Sequence, residues 1–202
     1  MRDPDYLPVM ESFYTVQGEG YYSGTPAYFI RLGGCDVGCH WCDVKESWDV
    51  SKFDWLPVNS IVDEAKSSGA EVVVITGGEP FIYDLSVLTQ ALMACELQTN
   101  VETSGAYQLT GHWDWICFSP KKFKSPLEDF FRKSNELKVI VYNQSDLKWA
   151  EDHSRKMNPE AKCYLQPEWS REKEMTPLIV DYIKANPKWK ISLQTHKFMD
   201  IP

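Results

Sequence analysis

Residues 71–80 read Glu71-Val72-Val73-Val74-Ile75-Thr76-Gly77-Gly78-Glu79-Pro80, and this stretch decides the fold. A β-branched run that is apolar without alternation predicts a strand buried on both faces of a parallel sheet, ended here by the two glycines. Upstream, Asn59-Ser60 opens and Gly69 closes a helix with Ile61, Val62 and Ala65 on one side. Before it lies a strand at 26–32, stopped by Gly33-Gly34. Downstream, Asp84 caps a second helix in which Leu85, Leu88, Leu92 and Cys95 recur at three- and four-residue spacing. Further strands are predicted at 99–102, 115–118, 136–142, 162–166 and 189–194, with helices at 146–157 and about 173–185.

Strand and helix alternate, so the fold class is α/β with parallel strands and crossover helices. A complete eight-stranded βα barrel takes about 250 residues. A chain of 202 residues with about seven strands is expected to form a partial, open TIM-like barrel. Its open side then needs a cover from the tail, an added hairpin or a second subunit. With 43% hydrophobic residues and no linker-like or repeated segment, residues 1–202 read as one domain.

A formal net charge of −8 argues against a broad phosphate-binding surface, so nucleic acid is not expected and a small-molecule partner is. No apolar run reaches bilayer length, and Met1-Arg2-Asp3-Pro4-Asp5 lacks the basic-then-apolar order of a signal peptide. No membrane association is expected, and the expected location is the cytoplasm.

Of six cysteines, Cys35, Cys39 and Cys42 fall within eight residues, whereas Cys95, Cys117 and Cys163 stand alone among apolar neighbours. The first three read as ligands, the others as ordinary buried side chains. Three thiolates in Cys-x3-Cys-x2-Cys suit zinc, Cu(I) or an iron–sulfur cluster. Structural zinc normally closes four ligands, often as two separated pairs. No second pair exists, and His40, adjoining Cys39, would have to bend back in a very short loop. A four-iron cluster on three cysteines instead leaves one iron open for a chelating ligand. The cluster is the favoured reading and a zinc-stapled binding module the alternative.

The unusual residues sit where strands end. Cys35 to Cys42, Thr76 to Pro80, Glu102 to Gly105, Ser119-Pro120-Lys121, Gln166-Pro167-Glu168 and Gln194 to Lys197 each follow a predicted strand. Parallel strands carry their C-terminal ends to one rim, so these six segments are expected to share one mouth.

Cys35-Asp36-Val37-Gly38-Cys39-His40-Trp41-Cys42, with an aromatic residue before the last cysteine, resembles the signature of the radical S-adenosylmethionine (SAM) superfamily. Gly77-Gly78-Glu79-Pro80 resembles that superfamily's second motif, which receives the SAM amino group. Across almost the whole chain the sequence is similar to the 7-carboxy-7-deazaguanine synthase family of the queuosine and 7-deazapurine pathway. The residues that carry this likeness are 13–20, Glu102-Thr103-Ser104-Gly105, Ser119-Pro120-Lys121 and the ending 193–202.

The resemblance implies a [4Fe–4S] cluster on Cys35, Cys39 and Cys42, with SAM and Mg²⁺ as further cofactors. The implied reaction converts 6-carboxy-5,6,7,8-tetrahydropterin to 7-carboxy-7-deazaguanine with ring contraction and loss of ammonia. An electron from the cluster would cleave SAM to a 5′-deoxyadenosyl radical that takes hydrogen from C6 of the pterin. The resemblance also implies a homodimer, a flavodoxin- or ferredoxin-like electron donor, an N-terminal hairpin and a C-terminal substrate-binding tail. Carried over residue by residue, Val16, Gln17, Gly18, Glu19, Arg31, Thr76, His196 and Pro202 would hold the substrate. SAM would be held by Trp41, Asp43, Gly78, Glu79, Glu102, Ser119, Lys121 and Gln166. A binding role for the terminal carboxylate would make the chain end intolerant of extension. A radical SAM activase that places a glycyl radical on a protein partner is the rival enzymatic reading.

One position departs from the family pattern. Members commonly carry Asp-Thr after the last cysteine, with the threonine hydroxyl on Mg²⁺, and here the pair is Asp43-Val44. Mg²⁺ demands hard oxygen ligands in octahedral array, which valine's side chain cannot supply. Weakened or altered Mg²⁺ dependence is expected.

Overall fold

The computed structural model describes residues 4–202. Strands β1 (Tyr6–Val16), β2 (Pro26–Leu32), β3 (Trp55–Pro57), β4 (Val72–Gly77), β5 (Gln98–Thr103), β6 (Trp115–Phe118), β7 (Glu136–Val141), β8 (Lys162–Pro167) and β9 (Trp189–Ile191) form one sheet. Its order is β3-β1-β2-β4-β5-β6-β7-β8-β9. From β2 through β9 every ladder is parallel, and β1 runs antiparallel to both β2 and β3. The parallel part holds the seven strands expected from sequence. The sheet does not close on itself, as expected of a partial barrel.

Helices α1 (Val58–Ser67), α2 (Ser86–Ala94), α3 (Glu128–Lys133), α4 (Ser145–Ser154), α5 (Glu172–Ala185) and α6 (Thr195–Met199) complete the chain. Leu85, Leu88 and Leu92 are fully buried along α2, as their spacing demands, and join Ile61, Val62 and Ala65 of α1 in the main core. Fully burying such a side chain stabilises by about 1.5–3 kcal/mol. The helix starts one residue later than its capping aspartate suggests, and Asp84 accepts from the Ser86 amide at 2.9 Å.

That core fills the helix side of the sheet with Ile30, Val73, Val101, Ile116, Leu137, Val139 and Leu165. The other face holds a small apolar cluster of Ala27, Phe29, Val72 and Val74, with Phe13 against it. Beside that group the inner face carries polar side chains, and the rim chemistry is built on them.

The added hairpin is β1 and β2. β1 escapes the sequence patterns because Pro8 lies within it and a register shift between Val9 and Glu11 breaks its alternation. Its loop to β2 folds across the inside of the sheet: the Tyr21 amide donates to Glu136, and the Tyr21 and Tyr22 rings pack on Trp115. The tail meets this loop, since the Thr195 amide and hydroxyl both donate to the Gly18 carbonyl, at 3.0 and 2.9 Å. Loop and tail are thereby tied to each other beside the sheet.

Candidate active site

One cavity opens at the C-terminal ends of the parallel strands, and each of the six predicted segments contributes to its wall. Cys35, Cys39, Trp41, Cys42 and Asp43 come from the loop after β2, Thr76, Gly78 and Glu79 from the end of β4, and Glu102 and Ser104 from β5 and its loop. Ser119 and Lys121 follow β6, Gln166 lies on β8, and Gln194 follows β9. Glu19 enters from the β1–β2 loop. Thirteen of the residues read from sequence as site residues therefore line one cavity: Cys35, Cys39, Cys42, Trp41, Asp43, Gly78, Glu79, Glu102, Ser119, Lys121, Gln166, Glu19 and Thr76.

The cysteine loop and the glycine turn are built as one unit. The Gly78 amide donates to the Leu32 carbonyl and the Glu79 amide to the Gly34 carbonyl, both at 2.9 Å. A side chain at Gly78 would strike the Gly34 carbonyl and Cys35 Cβ, so only glycine lets the backbones approach this closely. Asp36 anchors the other side of the loop, accepting from Tyr107 at 2.6 Å and Lys124 at 2.7 Å. Burial raises the pKa of the Cys35 and Cys39 thiols, pushing Cys39 up to about 11. Metal binding at these sulfurs must therefore displace protons.

Three thiols on one wall of a polar cavity suit a cluster, because each iron of a cubane takes one thiolate and the ligands need not converge on a point. Among the described residues no three His, Cys, Asp or Glu side chains are gathered to hold a single ion. His40 is exposed and packs edge-on to Phe123 and Tyr142. Cys117 is buried and Cys95 and Cys163 half-buried, all as free thiols.

Glu79 is 1% exposed and its carboxylate is fully engaged by the protein. One oxygen accepts from the Phe81 amide at 3.2 Å and the Thr103 hydroxyl at 2.6 Å. The other accepts from the amide and hydroxyl of Ser104. Lys121 donates to the carbonyl and hydroxyl of Ser119 at 2.7 and 2.6 Å, and burial lowers its pKa.

Lys138, which the sequence reading passed over, stands at the centre of the cavity's charges. It is 4% exposed and its ammonium pairs with Glu19 and Glu102. Burial alone would raise the Glu19 pKa, but Lys138, Gln194 and Gln166 outweigh it and bring it down to about 2. The signal for Lys138 was the alternation of Leu137, Val139 and Val141 with Glu136 and Lys138, which puts a polar face on the inside of β7.

The remaining predicted residues lie off the wall. Gln17 stands behind it, donating to Glu102 at 3.1 Å. Arg31 donates to Glu11 at 2.7 Å, its direct cross-strand neighbour, and lies over the Phe13 ring. Val16 ends β1. Gly18 abuts His196, whose pKa burial lowers, and the Pro202 carbonyl accepts from Thr15 at 3.4 Å.

At 43–44 the protein itself takes up part of the oxygens that a Mg²⁺ ion would use. The Val44 carbonyl accepts from the amide and hydroxyl of Ser47. One oxygen of Asp43 accepts from Lys197 at 2.6 Å and Gln194 at 3.0 Å, so an ammonium already sits on this carboxylate.

A half-open βα barrel with a cysteine triplet and a glycine turn at its rim defines a radical SAM protein. The Radical SAM superfamily profile matches residues 29–117. The chain is 56% identical over 98% of its length to the 7-carboxy-7-deazaguanine synthase of Flavobacterium psychrophilum, 94% of which is covered. Identity to the synthase of Synechocystis is 45% over 96% of the chain and 93% of that relative. The crystal structure of QueE from Escherichia coli superposes with a TM-score of 0.85 at 31% identity, covering 93% of each chain. The chain belongs to the 7-carboxy-7-deazaguanine synthase family. These relatives favour neither the activase nor the zinc-module reading.

Proposed function

We propose that this chain binds a [4Fe–4S] cluster on Cys35, Cys39 and Cys42 and converts 6-carboxy-5,6,7,8-tetrahydropterin to 7-carboxy-7-deazaguanine with release of ammonia. The observation that carries the reading is the gathering of all six strand-end segments, with the three thiols, on one cavity. Bound there, the cluster and SAM supply a carbon radical able to take hydrogen from one pterin C–H.

The chain's own residues bind and orient. Ser119, Lys121, Gln166 and the backbone of Trp41 and Gly78 would hold SAM, with Lys121 offering an ammonium to its carboxylate. Glu79 would act chiefly as a brace for that wall, because its acceptor positions are taken by Phe81, Thr103 and Ser104. Glu19 would accept from the N–H edge of the pterin. Gln17 and His196 would support this from behind the wall, and Arg31 would have to leave Glu11 to reach a substrate carboxylate. Val16, Gly18 and the Pro202 end would shape the closure of tail on hairpin. Water exclusion falls to Trp48 and Trp169 on the cavity wall.

The protein would act as a homodimer in the cytoplasm, reduced by a flavodoxin- or ferredoxin-like donor, and no helix among the described residues is long and apolar enough to cross a membrane. Mg²⁺ dependence would be weak, with Lys197 on Asp43 supplying positive charge. The deciding experiment is anaerobic reconstitution with iron and sulfide, reduction, and mass spectrometry of the carboxypterin reaction. Formation of the deazaguanine is expected; zinc without iron in oxygen-free protein, or turnover only with a protein partner, would overturn the reading.

A further inference from the structure

Lys138 stands on β7 and pairs with carboxylates brought by two other elements, Glu19 by the β1–β2 loop and Glu102 by β5. Its ammonium bonds to Oε2 of Glu19 and lies 3.5 Å from Oε2 of Glu102. Each carboxylate is gripped at its other oxygen by an amide. Gln194 donates to Glu19 Oε1 at 2.9 Å, and Gln17 donates to Glu102 Oε1 at 3.1 Å. Neither carboxylate can therefore turn without breaking bonds at both ends.

The charge count gives this arrangement its character. A lone ammonium this deep would favour its neutral form, but two facing carboxylates more than offset the lost solvation. One ammonium thus serves two carboxyl groups on the cavity wall. Lys138 holds Glu19 ionised, and an ionised carboxylate only accepts hydrogen bonds, so Glu19 offers the cavity acceptors and no O–H donor.

Glu19 would stand with the pterin, and Glu102, by the resemblance, with SAM, so the two glutamates are assigned to different sides of the proposed site. We infer that Lys138 is a positioning residue that ties the substrate-side carboxylate to the cosubstrate-side carboxylate and so sets the register between the two bound molecules. The inference rests on the function proposed above. Register matters because a radical carbon must meet one C–H bond at contact distance, and a small misplacement lets it be quenched elsewhere.

The test compares the reconstituted protein with Lys138→Met and Lys138→Arg. The natural enzyme should couple 5′-deoxyadenosine formation to product. Lys138→Met should release several-fold more 5′-deoxyadenosine per product, and Lys138→Arg should recover much of the coupling. A merely structural lysine would lower the amount of active enzyme and leave that ratio unchanged.

A second readout needs no turnover: the ¹³C-carboxyl shift of Glu19 followed against pH. In the natural protein Glu19 should stay ionised far below the usual carboxylate range; in Lys138→Met its titration should move up by about two pH units or more. If Lys138→Met does not fold, Lys138→Met with Glu102→Gln leaves one buried carboxylate instead of two and keeps the Glu19 titration as the readout. An unchanged Glu19 titration, or an unchanged ratio of 5′-deoxyadenosine to product, overturns the inference. If the natural holoenzyme makes no deazaguanine, the proposed function falls, and the carboxyl titration alone decides the role of Lys138.

Discussion

Ser104 donates twice to the same oxygen of Glu79, through its amide at 2.8 Å and its hydroxyl at 2.5 Å. The pair joins the turn after β4 to the turn after β5 and fixes two walls of the cavity without any ligand. A motif glutamate that resemblance assigns to SAM is thus also a structural brace.

Glu79→Gln should therefore weaken the protein before any cofactor is added. An amide offers one acceptor oxygen where the carboxylate uses two, leaving a buried donor unmet at a cost of about 2 kcal/mol. For a chain of this size that is ~4–8 °C in Tm, measured on the metal-free protein. An unchanged Tm with lost SAM binding would show that Glu79 serves the ligand alone.

Gly18→Ala should loosen the tail. The added methyl would meet the His196 ring, which packs where a Cβ would stand. Displacing α6 also endangers the two Thr195 bonds to Gly18, each worth about 1 kcal/mol. The expected result is a KM for the carboxypterin raised about tenfold, equivalent to ~1.4 kcal/mol, with SAM affinity little changed.

Val44→Thr should create a response to Mg²⁺. The natural protein is expected to lose less than about half its rate on chelation, because Lys197 already faces Asp43. The threonine variant gains a hard oxygen ligand and should show a steeper Mg²⁺ titration. Equal and tight dependence in both would reject this account.

Glu136→Gln should be tolerated at high pH. Glu136 is 2% exposed, its Oε1 has no hydrogen-bond partner among the described residues, and burial raises its pKa. A carboxyl with a raised folded pKa costs stability when ionised, and the cost is relieved as pH falls through that pKa toward the unfolded value. The variant should match or exceed the natural protein by about 1 kcal/mol near pH 8, ~2–4 °C in Tm, with the advantage shrinking toward pH 5. A clear loss of Tm near pH 8 would mean that the ionised carboxylate stabilises the fold.

Much of this protein is readable along the chain. The unbroken apolar run 72–75 and the periodic leucines of α2 encode their own elements, because burial imposes those spacings locally. The strand β1 is not readable in this way, since Pro8 and the register shift hide it. With β1 hidden from the sequence patterns, Glu11 could not be named as the neighbour of Arg31, whose guanidinium it meets in a cross-strand pair.

The sequence by itself determined the cysteine triplet, the seven parallel strands with helices α1, α2, α4 and α5, and the six strand-end segments that meet at one mouth. Ligand spacing and hydrophobic period are properties of neighbours along the chain, so they are written in the order of residues. Only the tertiary structure decided which charges face one another. Glu19 and Lys138 are 119 residues apart, Asp43 and Lys197 are 154 apart, and Glu79 and Ser104 are 25 apart. Electrostatic partnership depends on distance through space, and that distance is set by how the sheet curves and where its loop and tail come to rest.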